Sequence, residues 1–401
     1  MASKSYHLII VESPSKATTL KKFLGDKYLV EASVGHIRDL PKSDLGIDPD
    51  KKFKTKYVQT ISKGNLQKLK SALSDASELY LATDPDREGE AIAWHLVELL
   101  KPKIPIKRLV FHEITKDAIL DSFNNTRDID QDLVNAQETR RVIDRLLGYP
   151  VSNKLWKNVS RGLSAGRVQS PAIKIVVDRE KERSKFVKSE YWSVTAQLKK
   201  EDIVFDARLM KNNNKKIASG KDFDKNTGDL KNNDCQCLDN KSSNQLVDDL
   251  KQSDWLVDQI EEKPYTQNPY APFITSTLQQ DGIRKLHTSS KNIMRLAQNL
   301  YQAGHITYMR TDSITISKQA ITQIRDIIKK DNPANLPDSP RSYISKVKNA
   351  QEAHEAIRPA GNLTHPDDLK SKLEEKEWKL YDLIWKRTIA SQMKSAKIMN
   401  T

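Results

Sequence analysis

The chain has 401 residues, too many for one compact core and enough for two to four domains. Lysine and arginine outnumber aspartate and glutamate by 67 to 53, and the resulting +14 suits a polyanionic partner while equally describing a lysine-rich soluble surface. Two cysteines, Cys235 and Cys237, exclude a disulfide framework, and with no second Cys or His pair nearby they read as free thiols rather than a zinc site. The longest apolar run near the start, Leu8-Ile9-Ile10-Val11, is too short for a membrane span or a signal-peptide core, so the chain reads as soluble and cytoplasmic.

The first element is a buried strand from His7 to Val11, which leaves Glu12 at its carboxyl end. Ser13-Pro14 then opens a helix that ends near Gly25. Leu79 to Thr83 repeats the pattern, running straight into Asp84 and Asp86 and on to a helix over Ala91 to Leu100. A third strand is expected over Arg108 to Phe111, before a helix opened by Thr115. Ligands gather outside the carboxyl ends of strands in open α/β sheets, so Glu12, Asp84 and Asp86 are expected to share one crevice. Apolar residues at helical spacing predict a helix over 131–147 with Gly148 as its stop. On it Arg140 and Asp144 lie four apart and share a face, as a surface ion pair or as the flank of a groove. Alternating strands follow over 191–210, then a polar insertion over 211–245 that reads as a mobile loop. Pro264, Pro269 and Pro272 mark a linker. Helices are expected over Ser276 to Arg284 and Ser290 to Tyr301, then a strand over His305 to Met309, a helix from Ser317 to Lys330, and a last helix from Glu374 to Lys394.

Two strings carry chemistry. Asp84-Pro-Asp86-Arg87-Glu88-Gly89-Glu90 packs four carboxylates into seven positions, and such density repels itself unless a hard divalent cation sits among them. Glu88 and Glu90 are also explained as helix N-terminal charges favoured by the macrodipole, a reading that fits Asp84 and Asp86 poorly. Tyr308-Met-Arg310-Thr-Asp312-Ser follows a phenol with a cation, a hydroxyl and a carboxylate, more polar equipment than a core strand needs. A phenol titrates near 10, so attack on a phosphate needs cations nearby, and Arg310 is two residues away. Without other context Tyr308 is equally half-buried sheet surface.

Val11-Glu12-Ser13-Pro14-Ser15-Lys16-Ala17, the Asp84–Glu90 string, Gly162-Leu-Ser-Ala-Gly-Arg167-Val-Gln169-Ser170, Tyr308–Ser313 and Glu352-Ala-His354-Glu-Ala-Ile-Arg358-Pro359 resemble, in order, the motifs of bacterial type IA DNA topoisomerases, and the match runs over nearly the whole chain. The resemblance implies a multidomain α/β plus α protein: an N-terminal Toprim α/β domain over 1–129, with 39–66 packing on the base; a helical base over 130–188; a partial β arch over 189–267 carrying the polar insertion; a helical domain over 268–394 bearing the nucleophilic tyrosine; and the start of a return segment over 395–401. It implies that Tyr308 cleaves one DNA strand through a 5′-phosphotyrosyl link, lets another strand pass and reseals, relaxing negatively supercoiled DNA. Arg310, Lys16, Glu12 and His36 would assist, and Glu12, Asp84, Asp86 and Glu88 would hold Mg2+. Arg140, Asp144, Arg167, Gln169, Gln298, Thr307, Asp312, His354 and Arg358 would line the path of the strand. No Gly-x-x-x-x-Gly-Lys-Ser/Thr occurs, in keeping with transesterification without ATP.

Two departures from the family pattern matter. Gln302 stands where bacterial members commonly carry glutamate, and the chain ends at Thr401, before the return leg of the arch and the zinc-ribbon modules. On that ground this chain alone, read as a monomer that a separate C-terminal polypeptide could complete, is expected to cleave single strands poorly and to relax plasmids weakly or not at all. The rival readings are a non-catalytic single-strand-binding fragment and a Toprim primase or nuclease that uses the same carboxylates.

Overall fold

The computed structural model describes residues 6–344 and 354–401, so Glu352 and Ala353 of the last motif lie outside the described residues. The apolar run near the start forms β1 (Tyr6–Val11), with Leu8 to Val11 fully buried. Ser13 caps α1 (Pro14–Lys21) by accepting from the Lys16 amide, with proline at the first turn. β2 (Tyr28–Ala32) pairs parallel to β1; α2 (Lys63–Ser74) leads to β3 (Ala76–Leu81), which pairs parallel to the other side of β1. Then come α3 (Arg87–Leu100), β4 (Ile106–Arg108) and α4 (Lys116–Asn124), capped by Thr115 as expected. The sheet order is β2-β1-β3-β4, all parallel, so the carboxyl ends of β1 and β3 are adjacent and Glu12 and Asp84 emerge side by side. One core buries Leu8, Ile10, Leu79 and Leu81 against α3 on one face, and Ile9, Val11 and Tyr80 face the other. The third strand lies slightly earlier than its apolar residues suggested: the ladder closes with the Leu109 amide donating to the Leu81 carbonyl at 2.9 Å, and Leu109 and Phe111 join the second of these cores.

α5 (Gln131–Asn158) does not stop at Gly148 but continues through Pro150 for ten more residues. The glycine has a packing reason: a Cβ there would stand 3.1 Å from the Ala165 carbonyl. The first half of α5 packs against the loop ahead of α2, where Arg141 forks onto Asp39 at 2.6–2.9 Å and Tyr57 donates to Glu138 at 2.9 Å.

The chain divides into two compact units, residues 1–146 with 263–400, and residues 147–262 with Thr401. The second unit contains α6 (Gln169–Lys185) and the antiparallel pair β5 (Thr195–Lys200) and β6 (Ile203–Arg208), as the alternation over 191–210 predicted. The polar stretch 211–245 is folded rather than a bare loop. It forms a small three-stranded sheet and opens α7 (Asn240–Lys251), capped by Asp239. Val194, Ile217 and Leu238, backed by Leu246, Val247 and Leu250, supply a core too sparse in sequence to show as periodicity.

Back in the first unit, the expected linker begins as β7 (Lys263–Gln267), which pairs antiparallel with β8 (Ala396–Asn400). Pro264 is tolerated there because the ribbon has only two strands. α8 (Thr275–Leu286), α9 (Ser290–Gln302), α10 (Lys318–Asp331) and α11 (Glu375–Ser391) match the expected helices to within a few residues, and α9 and α11 pack on the second core through Ile293, Leu296, Leu300, Tyr381 and Ile384. The strand expected over His305 to Met309 is absent. That segment is irregular, with a single bridge from Ile306 to Pro359, because its amides go elsewhere: Thr307 donates to the Arg358 carbonyl at 2.9 Å and Tyr308 to the His112 carbonyl at 2.8 Å. Among the described residues no helix is long and apolar enough to cross a membrane.

Candidate active site

The loop between β3 and α3 is held in place before any chemistry is considered. Arg108, fully buried at the end of β4, donates to the carbonyls of Leu81, Thr83 and Asp84 at 2.7–3.0 Å and to Glu90 at 3.0 Å. Glu90 is not dipole decoration on an exposed turn: it has no exposure, and its oxygens also accept from Arg127 at 2.8 and 2.9 Å and from the Asp130 amide at 2.8 Å. Gly89 lets the helix start approach so closely that a Cβ would fall 2.1 Å from the Asp84 carbonyl oxygen. Asp86 caps α3 through the Gly89 amide at 2.9 Å.

This frame presents Glu12, Asp84, Asp86 and Glu88 to a crevice of about 890 Å3, also lined by His36, Arg140, Gln298, Arg310 and Asp312. Lys16 is fully buried on the first turns of α1 and places Nζ 3.1 Å from Asp84 Oδ1 and 3.4 Å from Glu12 Oε2. Burial pushes the Glu12 carboxyl up to about 7, Lys16 opposing and Asp84 adding to the rise. Burial acts upward on Asp84 too, but the Lys16 ammonium and the Glu12 hydrogen bond outweigh it and hold Asp84 below the usual carboxylate range.

Tyr308 comes from 222 positions further along the chain, yet its hydroxyl donates to Asp86 Oδ2 at 2.5 Å. Burial, with Asp84 and Asp86 alongside, raises this phenol far above its ordinary value, and Arg310 only partly opposes them. Arg310 is 56% exposed in its side chain with Nη1 3.9 Å from Asp86, so it faces the crevice with most of its donors free for an incoming anion. Tyr308 itself is 2% exposed, packed edge-on against Tyr301 and His354 at ring distances of 5.2 and 6.0 Å.

Several expected strand contacts have other occupations. Thr307 is buried and donates to the Ala356 carbonyl at 2.7 Å, and His354 is buried beside the Pro85 carbonyl at 3.1 Å. Arg358 is buried in ion pairs with Glu113 at 2.8 Å and Glu355 at 2.5 Å, away from the crevice. These three hold the tyrosine segment in place. His36 stands at the crevice rim, 3.9 Å from Glu88. Asp144 is half-buried on α5 and is not among the crevice-lining residues; Arg167 and Gln169 are exposed in the other unit, at the start of α6. Tyr301, whose hydroxyl donates to Asp84 Oδ1 at 3.3 Å, was missed because its position in α9 looks like any apolar helix position.

Residues 128–401 match the family model described as DNA topoisomerase, and residues 7–114 match the Toprim domain. The chain belongs to the DNA topoisomerase family. It is 49% identical over 97% of its length to DNA topoisomerase 1 of Synechococcus elongatus, covering 46% of that protein, and 50% identical over 97% to DNA topoisomerase 1 of Mycolicibacterium smegmatis, covering 44%. Full-length topoisomerase I from Thermotoga maritima superimposes with a TM-score of 0.78 at 35% identity, over 97% of this chain and 61% of that one. The chain thus spans about half the length of the curated relatives it matches.

Whether the acidic set suits the divalent ion that the family resemblance implies can be judged from its own donors. Among the described residues no three acidic, His or Cys side chains stand as a finished ligand cage, since Lys16 occupies the space between Glu12 and Asp84. The donors nevertheless fit: all are carboxylate oxygens, Glu12 Oε1 is buried without a hydrogen-bond partner, and one ammonium serves two carboxylates.

Proposed function

We propose that this chain carries the strand-cleaving and rejoining chemistry of a type IA DNA topoisomerase, acting on a single strand of negatively supercoiled DNA. The observation that carries the reading is the hydrogen bond from Tyr308 to Asp86, which brings this phenol, with Arg310 two residues on, to the acid-lined crevice. A scissile phosphate entering between Arg310 and the carboxylates separates that pair. Tyr308 Oη then attacks phosphorus, passing its proton to the carboxylate it already touches. The bond from phosphorus to the 3′ oxygen breaks, and the leaving oxygen takes a proton from the Lys16 ammonium, so that it departs as a hydroxyl. Arg310 donates to the non-bridging oxygens as charge builds on them. Glu12, Asp84 and Asp86, with Glu88 at the margin, would hold Mg2+, and the ion would supply positive charge to orient the phosphate and shield it. The reverse attack by the 3′ hydroxyl restores the phosphodiester without ATP.

The test is a covalent adduct between a labelled oligonucleotide and the protein on a denaturing gel, with and without Mg2+. Tyr308→Phe is expected to abolish it. A protein that binds the oligonucleotide without forming an adduct would be a binding fragment only. A protein that loses activity with Asp84→Ala but keeps it with Tyr308→Phe would be a primase or nuclease.

A further inference from the structure

A second cavity, of about 760 Å3, lies in the first unit between α8, α11 and the ends of the β7 and β8 ribbon, and shares no lining residue with the crevice. Five cations line it, Arg284, Lys285, Lys386, Arg387 and Lys394, against one carboxylate, Asp281. Arg284 and Lys285 alone would be ordinary charges on the last turn of a helix. The other three come from a second helix and from the approach to β8, so the helix dipole does not explain their convergence. Asp281 is shared among three of them, paired with Arg387, 2.9 Å from Arg284 and 3.6 Å from Lys285. It orders these side chains while offsetting only one charge. Lys386 has its own partner in Asp382 at 2.7 Å, which still leaves the cleft strongly cationic.

The cleft also offers an aromatic face. Tyr270 is 71% exposed at its edge, with Arg387 held 4.9 Å from the ring centre. An exposed ring in a concavity of this size whose lining carries more cations than carboxylates is the combination that binds unpaired nucleotides: phosphates meet the surplus cations and a base stacks on the ring. A duplex, whose bases are already stacked and paired, has no use for such a ring. We propose that this cleft is a second single-stranded nucleic-acid site, distinct from the one where Tyr308 acts. It would hold a stretch of strand that is not being cut.

The experiment uses the full chain with Tyr308→Phe, so that no strand is cleaved, and a short oligothymidylate containing 5-iodouracil. Photo-crosslinking followed by peptide mapping is expected to place one crosslink on Tyr270, lost in Tyr270→Ala. Arg284→Glu combined with Lys285→Glu, both well-exposed positions, is expected to lower affinity at this site at least tenfold. It should also reduce the slope of log affinity against log salt by about 1.4, two single-strand phosphate contacts at about 0.7 each. Restoring Tyr308 in the same background keeps the two readings apart, because adduct yield at saturating oligonucleotide should match the unaltered chain. Crosslinks that avoid Tyr270, or an unchanged salt slope, would overturn the proposal. So would displacement of the oligonucleotide by millimolar inorganic phosphate, which would mark a small-anion site instead.

Discussion

Two acid–base clusters grow from the same seven-residue string and end in opposite states. Around Glu90, every partner is supplied: two guanidinium groups and an amide saturate both oxygens, and Arg108 spends its remaining donors on the carbonyls of the neighbouring loop. Burial acts to raise the Glu90 carboxyl, but these partners more than offset it and hold Glu90 below its usual range. Around Glu12 and Asp84, a single ammonium serves two carboxylates, one oxygen lacks a hydrogen-bond partner, and the proton affinity of Glu12 climbs instead. The first cluster is a frame and the second is held in deficit. A site that must accept a cation and a phosphate needs unspent charge, and the frame is what lets the fold tolerate it.

The comparison breaks most visibly if the frame is cut. Arg108→Met leaves Glu90 buried with half its charge partners and frees three loop carbonyls, so urea unfolding should show a loss of about 3–5 kcal/mol. Pairing it with Glu90→Leu should recover a measurable part, because removing both charges costs less than stranding one. No recovery would mean that the contribution of Arg108 lies in the carbonyls rather than in the ion pair.

Next in size is Gly89→Ala. The added methyl meets the Asp84 backbone, which cannot move without shifting the carboxylates, so a cost of about 1–3 kcal/mol should accompany loss of the covalent adduct. Unchanged adduct yield would show that the position of Asp84 is less critical than the crevice geometry indicates.

Much of this was legible in the string itself. Strands ending in carboxylates announced the crevice, and Ser13-Pro14 and Thr115 announced helix starts that the structure places at those caps. Glu90 was misread because its partners, Arg108 and Arg127, are 18 and 37 residues away, and no local spacing signals a buried ion pair. The helix stop at Gly148 failed for a related reason: the glycine answers to the Ala165 carbonyl rather than to a left-handed turn. Arg358 and Thr307 looked like donors for a substrate, but they spend themselves fixing the tyrosine segment. Motif membership shows that a residue matters; only packing shows whether it faces the ligand or holds the residue that does.

The deficit cluster makes a pH prediction of definite sign. In the folded chain Glu12 titrates near 7, above the 4.5 of a free glutamate, so the folded state binds the extra proton between those values. Its contribution to stability is therefore fully present below about pH 4.5 and is lost as pH rises toward 7. Measured in a chelating buffer, Glu12→Gln should raise Tm at pH 8, leave it nearly unchanged at pH 4.5, and flatten the pH dependence between. The same substitution should lower adduct formation, since it removes charge the site uses. A variant less stable at pH 8 would show that Lys16 compensates Glu12 in full.

The smallest effect concerns Gln302, which links α9 to the mouth of the site by donating to Ser13 Oγ at 3.2 Å while its carbonyl accepts from Thr19 at 2.8 Å. In Gln302→Glu the side-chain donor disappears, but the Ser13 hydroxyl can turn and donate instead, since it now only accepts from the Lys16 amide. The bond is reversed rather than lost, so stability should change by less than about 1 kcal/mol. The electrostatic consequence is different in kind. An added carboxylate beside α1 deepens the same deficit, so the pH at which Glu12 gives up its proton should move upward. A Tm profile whose descending limb shifts to higher pH in Gln302→Glu would show that the amide in this chain tempers the negative charge of the crevice; an unshifted limb would confine residue 302 to tying α9 to α1.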